Sequence, residues 1–350
     1  MGQHVLQTQS GCKVGRGERD EIPENLEREG KWRRPRLIGK RKSKGIVAVE
    51  FGLNQDHQEI IMTLKRLITL VSTNWLHETV NGGLKSAANG ASLRILDTSF
   101  VTDKSVDSYK EFYQKGHIPY SLFFDLHKCV ESTPLIPRNL PDVNCFTDYV
   151  QSMGINSNTH VIAYDRFGPS SSFRTWWTFR LFGHKKISVL DGGLQKWVND
   201  GYEVTTEEPK VERSTFEAVM NPSLLRNFDD MMINLSNKTE QVIDARDADK
   251  YDGTAVEEGG HIPGAKNIPF ESLFNEDGTM KSEHDLKTLF DAAGIDLGKP
   301  VVAQCRTGMT ACGIAAAAHI LGKEIVPLYY GSWLEWSQRA GPQYIAKGKS

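Results

Sequence analysis

The fold is decided by a stretch that occurs twice, as GHIPYSLFFDL at residues 116–126 and as GHIPGAKNIPF at residues 260–270. Before each copy lies a short apolar strand that ends in aspartate, at Asp97 and at Asp244. After each copy comes a second apolar strand, and both copies close on a glycine that is followed by a tryptophan. Because the order and the spacing of these motifs repeat together, the chain contains a duplicated domain.

Each copy alternates short strands of Val, Ile and Leu with helical stretches. In the second copy, a strand at 301–304 precedes an alanine-rich helix at 314–321. This alternation is typical of a parallel sheet that is covered by helices on both faces. The sequence therefore predicts an α/β protein with two tandem domains, at residues 66–205 and 222–350, joined by a linker at residues 206–221.

The beginning of the chain differs from the rest. Residues 1–65 are polar and have few periodic apolar positions, so the sequence predicts a disordered extension. We interpret the basic cluster between Lys31 and Lys44 as a solvated tail, with a nuclear or phosphate-binding signal as the alternative. The acidic residues of the same region argue against a mitochondrial presequence. We assign no targeting signal and expect a cytoplasmic protein, with mitochondrial residence as the alternative.

The composition describes a packed globular protein of 350 residues, with 39% hydrophobic residues, 25% charged residues and a formal net charge of −2. This balance excludes binding to nucleic acid or to an anionic membrane by overall charge. No apolar run approaches the roughly 20 residues that a membrane helix needs. Five cysteines are too few for a disulfide scaffold, and the odd number leaves at least one thiol free, which favours a reducing compartment.

The candidate chemistry lies in a turn between a buried strand and a helix, Cys305-Arg306-Thr307-Gly308-Met309-Thr310. Parallel sheets place their ligands at such turns, and the backbone N–H groups of the turn and helix favour an anion. A cysteine held there is a thiolate at neutral pH, so Cys305 is predicted to be a nucleophile. The alternative is a small buried thiol, which would not need the neighbouring glycine and arginine. Cys312, in the following helix, is interpreted as a packing residue.

Two chemistries fit a thiolate in such a turn. Phosphatases of the Cys-x5-Arg type need an arginine six residues after the nucleophile, where this chain has Ala311. The shorter turn forms a smaller cradle, which suits a single sulfur atom. The sequence therefore predicts sulfur transfer through a persulfide of Cys305, with no metal or organic cofactor.

Residues 70–344 resemble the tandem-domain rhodanese family, and within it most of all the mercaptopyruvate sulfurtransferases. The resemblance is carried by four motifs: the turn at 305–310, Asp-Ala-Arg at 244–246, His-Ile-Pro-Gly-Ala at 261–265 and Asp-Gly-Gly-Leu at 191–194. It implies that the first domain is inactive. Asp165 stands where the nucleophile would be, and a carboxylate cannot take up a sulfane sulfur.

The resemblance also implies a substrate pocket around Cys305. Its expected members are Lys250, Arg306, Thr307, Gly308, Met309, Thr310 and His117. Thr307 matches the hydroxyl residue of mercaptopyruvate enzymes, whereas thiosulfate enzymes usually have lysine there and arginine at the position of Arg306. Lys250 replaces a pocket arginine of the family, so it retains the charge but not the two-pronged guanidinium.

Three further residues have structural alternatives. Asp244 and Arg246 are interpreted as a buried charge pair at the end of a strand rather than as substrate contacts. His117 precedes a proline at a turn, where a hydrogen-bonded structural role is the alternative to a place beside the substrate.

The residues and the resemblance together lead us to expect a sulfurtransferase that takes sulfur from 3-mercaptopyruvate and releases pyruvate. The acceptor is expected to be thioredoxin, a low-molecular-weight thiol or cyanide. Thiosulfate is the alternative donor. An alternative of another class is a non-catalytic scaffold or redox-sensing protein, whose cysteine would oxidise without turning over a sulfur donor. We expect no nucleic-acid or membrane partner.

Overall fold

The computed structural model describes residues 55–82, 92–103, 105–255 and 259–348. Within these ranges the chain forms two parallel sheets of five strands, each flanked by helices, which confirms the predicted α/β class and the tandem arrangement. None of the helices in this described part of the chain is long and apolar enough to cross a membrane.

The first sheet contains strands β1 (Leu70–Val71), β2 (Leu93–Asp97), β3 (Ser121–Phe123), β4 (His160–Tyr164) and β5 (Ile187–Leu190). They lie in the order β1-β5-β4-β2-β3, and every pairing is parallel. The central strand β4 is buried from Val161 onward, as its run of apolar residues predicts.

The second sheet contains strands β6 (Leu225–Arg226), β7 (Gln241–Asp244), β8 (Lys266–Asn267), β9 (Val301–Gln304) and β10 (Leu328–Tyr329). Their order is β6-β10-β9-β7-β8, so the second sheet repeats the first strand for strand. The register repeats as well: Leu96 pairs with Ala163 in the first sheet, and Ile243 pairs with Ala303 in the second. The duplication seen in the sequence is thus a duplication of topology.

Helices pack on the sheets of both domains. Those before the linker are α1 (Gln55–Thr69), α2 (Thr73–Asn81), α3 (Ser108–Glu111), α4 (Val143–Ser152), α5 (Ser170–Leu181) and α6 (Gly193–Asn199). Those after it are α7 (Phe228–Asn237), α8 (Ala248–Asp252), α9 (Glu283–Ala292), α10 (Ala311–Ile320) and α11 (Ser332–Arg339). Polar side chains fix several helix starts; Asp142, for example, accepts the N–H of Cys145 at 2.8 Å and caps α4.

Helices α5 and α10 pack against each other and join the two domains. Every residue of α10 is buried, and half of them are alanine, so a neighbouring helix can approach closely. The aromatic residues of α5, among them Trp177 and Phe179, are also buried. Because both helices begin at the turn after a central strand, this contact brings the first domain up to the turn that carries Cys305.

The predicted N-terminal extension of residues 1–65 is too long at its C-terminal end. Residues 55–65 belong to helix α1, while residues 1–54 lie outside the described residues. Arg66 of α1 donates hydrogen bonds to the carbonyl oxygens of Met280 and Lys281, both at 2.7 Å. Sequence pattern did not show this helix as part of the fold, because its hydrogen bonds to Met280 and Lys281 span more than two hundred residues and it leaves Leu64 and Leu67 exposed.

The segment 206–221 connects the two sheets and contains no helix or strand. It is held against the first domain, since Ser214 donates its N–H to the carbonyl of Gln151 at 2.9 Å and Phe216 is buried. The predicted linker is therefore an ordered strap.

Cys129 and Cys145 form a disulfide in the first domain, with Cα atoms 5.4 Å apart. The sequence analysis interpreted five cysteines as too few for a disulfide scaffold and favoured a reducing compartment, so it did not predict this pairing. The pairing was missed because sixteen residues separate the two cysteines in sequence and only the folded loop brings them together.

Candidate active site

Cys305 lies directly after strand β9, and its side chain is almost completely buried. Its sulfur accepts the backbone N–H of Gly308 at 3.1 Å. Its own backbone N–H donates to the hydroxyl of Ser332 at 3.3 Å. A sulfur anion at this point therefore faces a peptide dipole at the start of a fully buried helix, an arrangement that favours a thiolate or a persulfide.

Helix α11 binds two backbone carbonyl groups at the start of the loop that contains Cys305. The carbonyl of Cys305 accepts the N–H of Trp333 at 2.9 Å, and the carbonyl of Arg306 accepts that of Leu334 at 3.0 Å. Gly308 has a φ of 82°, a left-handed conformation that costs glycine little. With these carbonyls bound to α11, the loop can turn a backbone N–H toward the sulfur.

The structure brings five of the predicted substrate residues together in this loop. The side chain of Arg306 is exposed, while Thr307, Met309 and Thr310 are half-buried and Gly308 is buried. Met309 also lines a small cleft against the first domain. Contact of these five residues with a donor stays a prediction.

Lys250 and His117 lie outside this loop. Lys250, in α8, forms an ion pair with Asp247 at 2.7 Å, and its contact with a donor stays a prediction. The ring of His117 is fully buried, and both its nitrogens lie within hydrogen-bonding distance of backbone carbonyls, those of Tyr113 at 2.8 Å and Glu207 at 3.1 Å. These contacts agree with the structural alternative for His117, and its place beside the substrate stays a prediction.

Asp244 and Arg246 form the buried pair that the sequence analysis preferred. The guanidinium of Arg246 lies 2.6 Å from the carboxylate of Asp244 and donates to the carbonyl of Gly260 at the same distance. It also stacks on the ring of Trp333 at 4.3 Å, and Trp333 binds the carbonyl of Cys305. The pair thus anchors the end of β7. Through Trp333 it also contacts the loop that begins at Cys305.

Cys312 is also a structural residue, as predicted. Burial raises the pKa of its thiol to about 12, and the thiol lies 3.4 Å from the carbonyl oxygen of Gly308, to which it donates. It therefore stays a protonated thiol at neutral pH.

The structure shows two arginines at the site that the sequence analysis missed, and both come from the first domain. Arg174 of α5 is buried and donates to the carbonyl of Gly308 at 3.0 Å. Arg138 lines the same cleft as Met309. Burial, together with the charges of Arg174 and Arg306, lowers the pKa of Arg138. A signal for Arg174 was present in the sequence, namely a cation among the aromatic residues of α5, but its partner could not be read from the sequence.

Asp165 occupies the equivalent turn of the first domain, directly before helix α5. Its carboxylate accepts the hydroxyl of Ser171 at 2.6 Å and the N–H groups of Ser171 and Ser172 at 3.1 and 3.3 Å. Burial raises the pKa of Asp165 to about 7, although these hydrogen bonds act in the opposite direction. The carboxylate fills the anion position of its own turn. Among the described residues, no cluster of three or more His, Cys, Asp or Glu side chains could hold a metal ion.

Comparison with known proteins agrees with this geometry. The model of the rhodanese-like domain matches residues 82–200 and 228–339. Thiosulfate sulfurtransferase of Rattus norvegicus is 41% identical over 290 residues, which cover 80% of this chain and 96% of the relative. The 3-mercaptopyruvate sulfurtransferase of Homo sapiens is 36% identical over 288 residues, with coverages of 80% and 96%.

A solved structure shares the fold. The crystal structure of SseA from Escherichia coli, described as a 3-mercaptopyruvate sulfotransferase with the rhodanese fold, superposes with a TM-score of 0.66 and 31% identity. The superposition covers 75% of this chain and 98% of SseA. The chain therefore belongs to the rhodanese family of sulfurtransferases and carries two rhodanese-like domains in tandem.

Proposed function

We propose that this protein moves one sulfur atom from a small anionic donor to a thiol or cyanide through a persulfide on Cys305. The observation that carries the proposal is the N–H of Gly308, 3.1 Å from the sulfur of Cys305 at the start of α10. The same donor stabilises the attacking thiolate and the persulfide anion that replaces it. No side chain needs to change its role between the two half-reactions.

Both candidate donors give a balanced first step. With thiosulfate, the thiolate of Cys305 attacks the outer sulfur, the sulfur–sulfur bond of the donor breaks, and sulfite leaves with the bond's electron pair. With 3-mercaptopyruvate, the thiolate attacks the thiol sulfur and the carbon–sulfur bond breaks. The enolate of pyruvate leaves and takes up a proton, while Cys305 keeps the sulfur as a persulfide.

The predicted donor is 3-mercaptopyruvate, because Thr307 supplies a hydroxyl where a lysine would suit a dianion. One observation favours thiosulfate as the second candidate. Arg138 lines the cleft that Met309 shares with the first domain, and burial, followed by the charges of Arg174 and Arg306, lowers the pKa of Arg138. The entrance to the site therefore carries more positive charge than the 305–310 loop alone would give it. Positive charges favour binding of the sulfonate end of thiosulfate.

The acceptor must reach a sulfur that is only 2% exposed. Cyanide and low-molecular-weight thiols are small enough to do so. Thioredoxin would have to present its thiol past the exposed side chain of Arg306. We propose all three acceptors and expect cyanide and low-molecular-weight thiols to react faster than thioredoxin.

The experiment is an intact-mass measurement after incubation with each donor, without an acceptor. We expect the wild type to gain the mass of one sulfur atom, and Cys305→Ala to gain none. Cys312→Ala is the matched control and should still gain the sulfur, because Cys312 is a buried thiol with a raised pKa. The proposal fails if neither donor adds sulfur to the wild type.

A further inference from the structure

We propose that Arg174, a residue of the first domain, is a positioning residue for the catalytic loop of the second domain. Arg174 acts through the Gly308 peptide and does not touch the donor. Its kinetic consequences rest on the proposed function, but the contacts that carry the inference do not.

The guanidinium of Arg174 joins three backbone carbonyls from both domains. One nitrogen donates to Gly308 at 3.0 Å, and the other donates to Arg138 at 3.0 Å and Asn139 at 3.3 Å. Arg174 is 4% exposed, and its guanidinium lies 5.0 Å from the centre of the Trp177 ring. A buried cation fixed on several sides can hold a carbonyl in one place.

Gly308 needs such an anchor because it has no side chain. Its position is set by its backbone groups alone: the N–H contacts the sulfur of Cys305, and the carbonyl accepts from Arg174 and Cys312. Glycine also has the widest choice of backbone conformations. If Arg174 is removed, the carbonyl of Gly308 keeps only the weak thiol donor, and the Gly308–Met309 peptide is less restrained. The φ and ψ of Gly308 can then change, which moves the adjacent Thr307–Gly308 peptide, whose N–H faces the sulfur.

The position of the Gly308 N–H is expected to have a large effect on the rate of persulfide formation. A displacement of about 1 Å of a group that orients a reaction can slow it about a hundredfold. Asp165 replaces the nucleophile in the first domain, yet that domain contributes the cation that aligns the cradle of the other domain. The inference therefore gives the inactive copy a role in the chemistry of its partner domain.

The competing explanation is that Arg174 merely ties the domains together. Helix α5 offers a matched control in Arg180, whose side chain is also largely buried. Arg180 reaches Glu324 of the second domain at 4.0 Å and stacks on Trp176 at 4.7 Å. It therefore makes an interdomain contact of similar kind that does not involve the catalytic loop.

The experiment compares Arg174→Met, Arg174→Lys and Arg180→Met with the wild type. The first readout is the rate at which iodoacetamide alkylates Cys305 as a function of pH, followed by peptide mass. The second is single-turnover persulfide formation with each donor. Arg174→Met should slow persulfide formation about a hundredfold and move the alkylation midpoint to higher pH, because the thiolate loses an oriented donor. Arg174→Lys, which keeps the charge, should lie between Arg174→Met and the wild type.

Arg180→Met should lower the melting temperature while leaving both readouts of Cys305 unchanged. The inference is overturned if Arg174→Met behaves like Arg180→Met, with a lower melting temperature but the alkylation midpoint and persulfide rate of the wild type. If Arg174→Met does not fold, the Arg174→Lys variant decides on the same two readouts. A wild type that gains no sulfur would instead refute the proposed function, and the alkylation profile would still test the positioning role.

Discussion

At the scale of single residues, Gly308 determines how the site can work. Its φ of 82° and missing side chain let its N–H reach Cys305 while its carbonyl faces Arg174. A Cβ at this position would lie 3.1 Å from the carbonyl oxygen of Tyr330 and 3.3 Å from Arg174. The turn around the sulfur of Cys305 therefore depends on Gly308, which only its backbone groups can hold in position.

Donor choice is expected to respond to Thr307. Thr307→Lys adds a cation beside the nucleophile and should shift the ratio of kcat/KM values toward thiosulfate by about tenfold, the effect of roughly 1.4 kcal/mol. The measurement is kcat/KM for both donors on the same preparations. An unchanged ratio would mean that Arg306 and Arg138 already set the charge of the pocket.

Asp165 is expected to make stability depend on pH. Burial raises its pKa in the folded state from 3.8 to about 7, so the folded protein holds a proton that the unfolded chain has lost. The contribution of this group to stability is complete below the unfolded pKa and is lost as the pH rises through the folded pKa. Asp165→Asn resembles the protonated acid and retains an acceptor for Ser171 and Ser172.

The melting temperature of the wild type relative to Asp165→Asn should therefore fall from about pH 5 to about pH 8. Thermal unfolding of both proteins across this range checks the sign. A difference that stays constant with pH would show that Asp165 is ionised throughout.

At the scale of elements, the loop between β3 and α4 carries the first domain's contact with the site. Cys129 of this loop forms a disulfide with Cys145 in the first turn of α4, and the N–H of Asp142 donates to the carbonyl of Cys129 at 2.8 Å. Between these points lie Arg138 and Asn139, whose carbonyls accept from Arg174. The disulfide thus closes the loop on which the arginine is anchored.

Replacing both cysteines of this disulfide by serine should lower the free energy of unfolding by about 3 kcal/mol, the value typical of a closed loop of this length. Persulfide formation should slow less than in Arg174→Met, because the arginine itself remains. Urea unfolding without reductant and single-turnover kinetics measure the two effects. Equal stability of the variant and the oxidised wild type would contradict the expectation.

At the scale of the whole molecule, the two domains are joined by helices as well as by the strap at 206–221. Helix α5 packs on α10, and α1 reaches the second domain through Arg66. The carboxylate of Asp191, in the first domain, accepts the N–H of Met280 at 2.7 Å and lies 3.4 Å from Arg66. These contacts keep Arg174 in reach of a loop more than one hundred residues away in sequence.

Deletion of residues 1–45 should leave the melting temperature and kcat nearly unchanged, because the composition of this stretch offers no apolar face. Arg66→Met is the contrasting variant and should lower the melting temperature, since it leaves two carbonyls of the second domain without their donor. Thermal unfolding of both proteins tests the pair. A loss of several degrees on deletion would show that the stretch packs on the fold.

Much of the fold and the position of Cys305 between a strand and a helix could be predicted without coordinates. The repeated His-Ile-Pro stretch and the apolar strands determine two parallel sheets, because burial on both faces requires such runs. The position of Cys305 between strand and helix determines its anion-binding surroundings, since these come from the local backbone. The buried pair of Asp244 and Arg246 was likewise predictable from its place at a strand end.

Only the tertiary structure decided which distant residues meet at that turn. Arg174, Arg138 and the disulfide act through pairings that span long stretches of chain, and composition or spacing carries no trace of their partners. The partners of His117 also needed the tertiary structure, because the carbonyl of Glu207, which lies within hydrogen-bonding distance of its ring, is 90 residues away in sequence. Local chemistry follows from sequence because the backbone sets it within a few residues, whereas the arginine that orients Gly308 depends on how two domains pack.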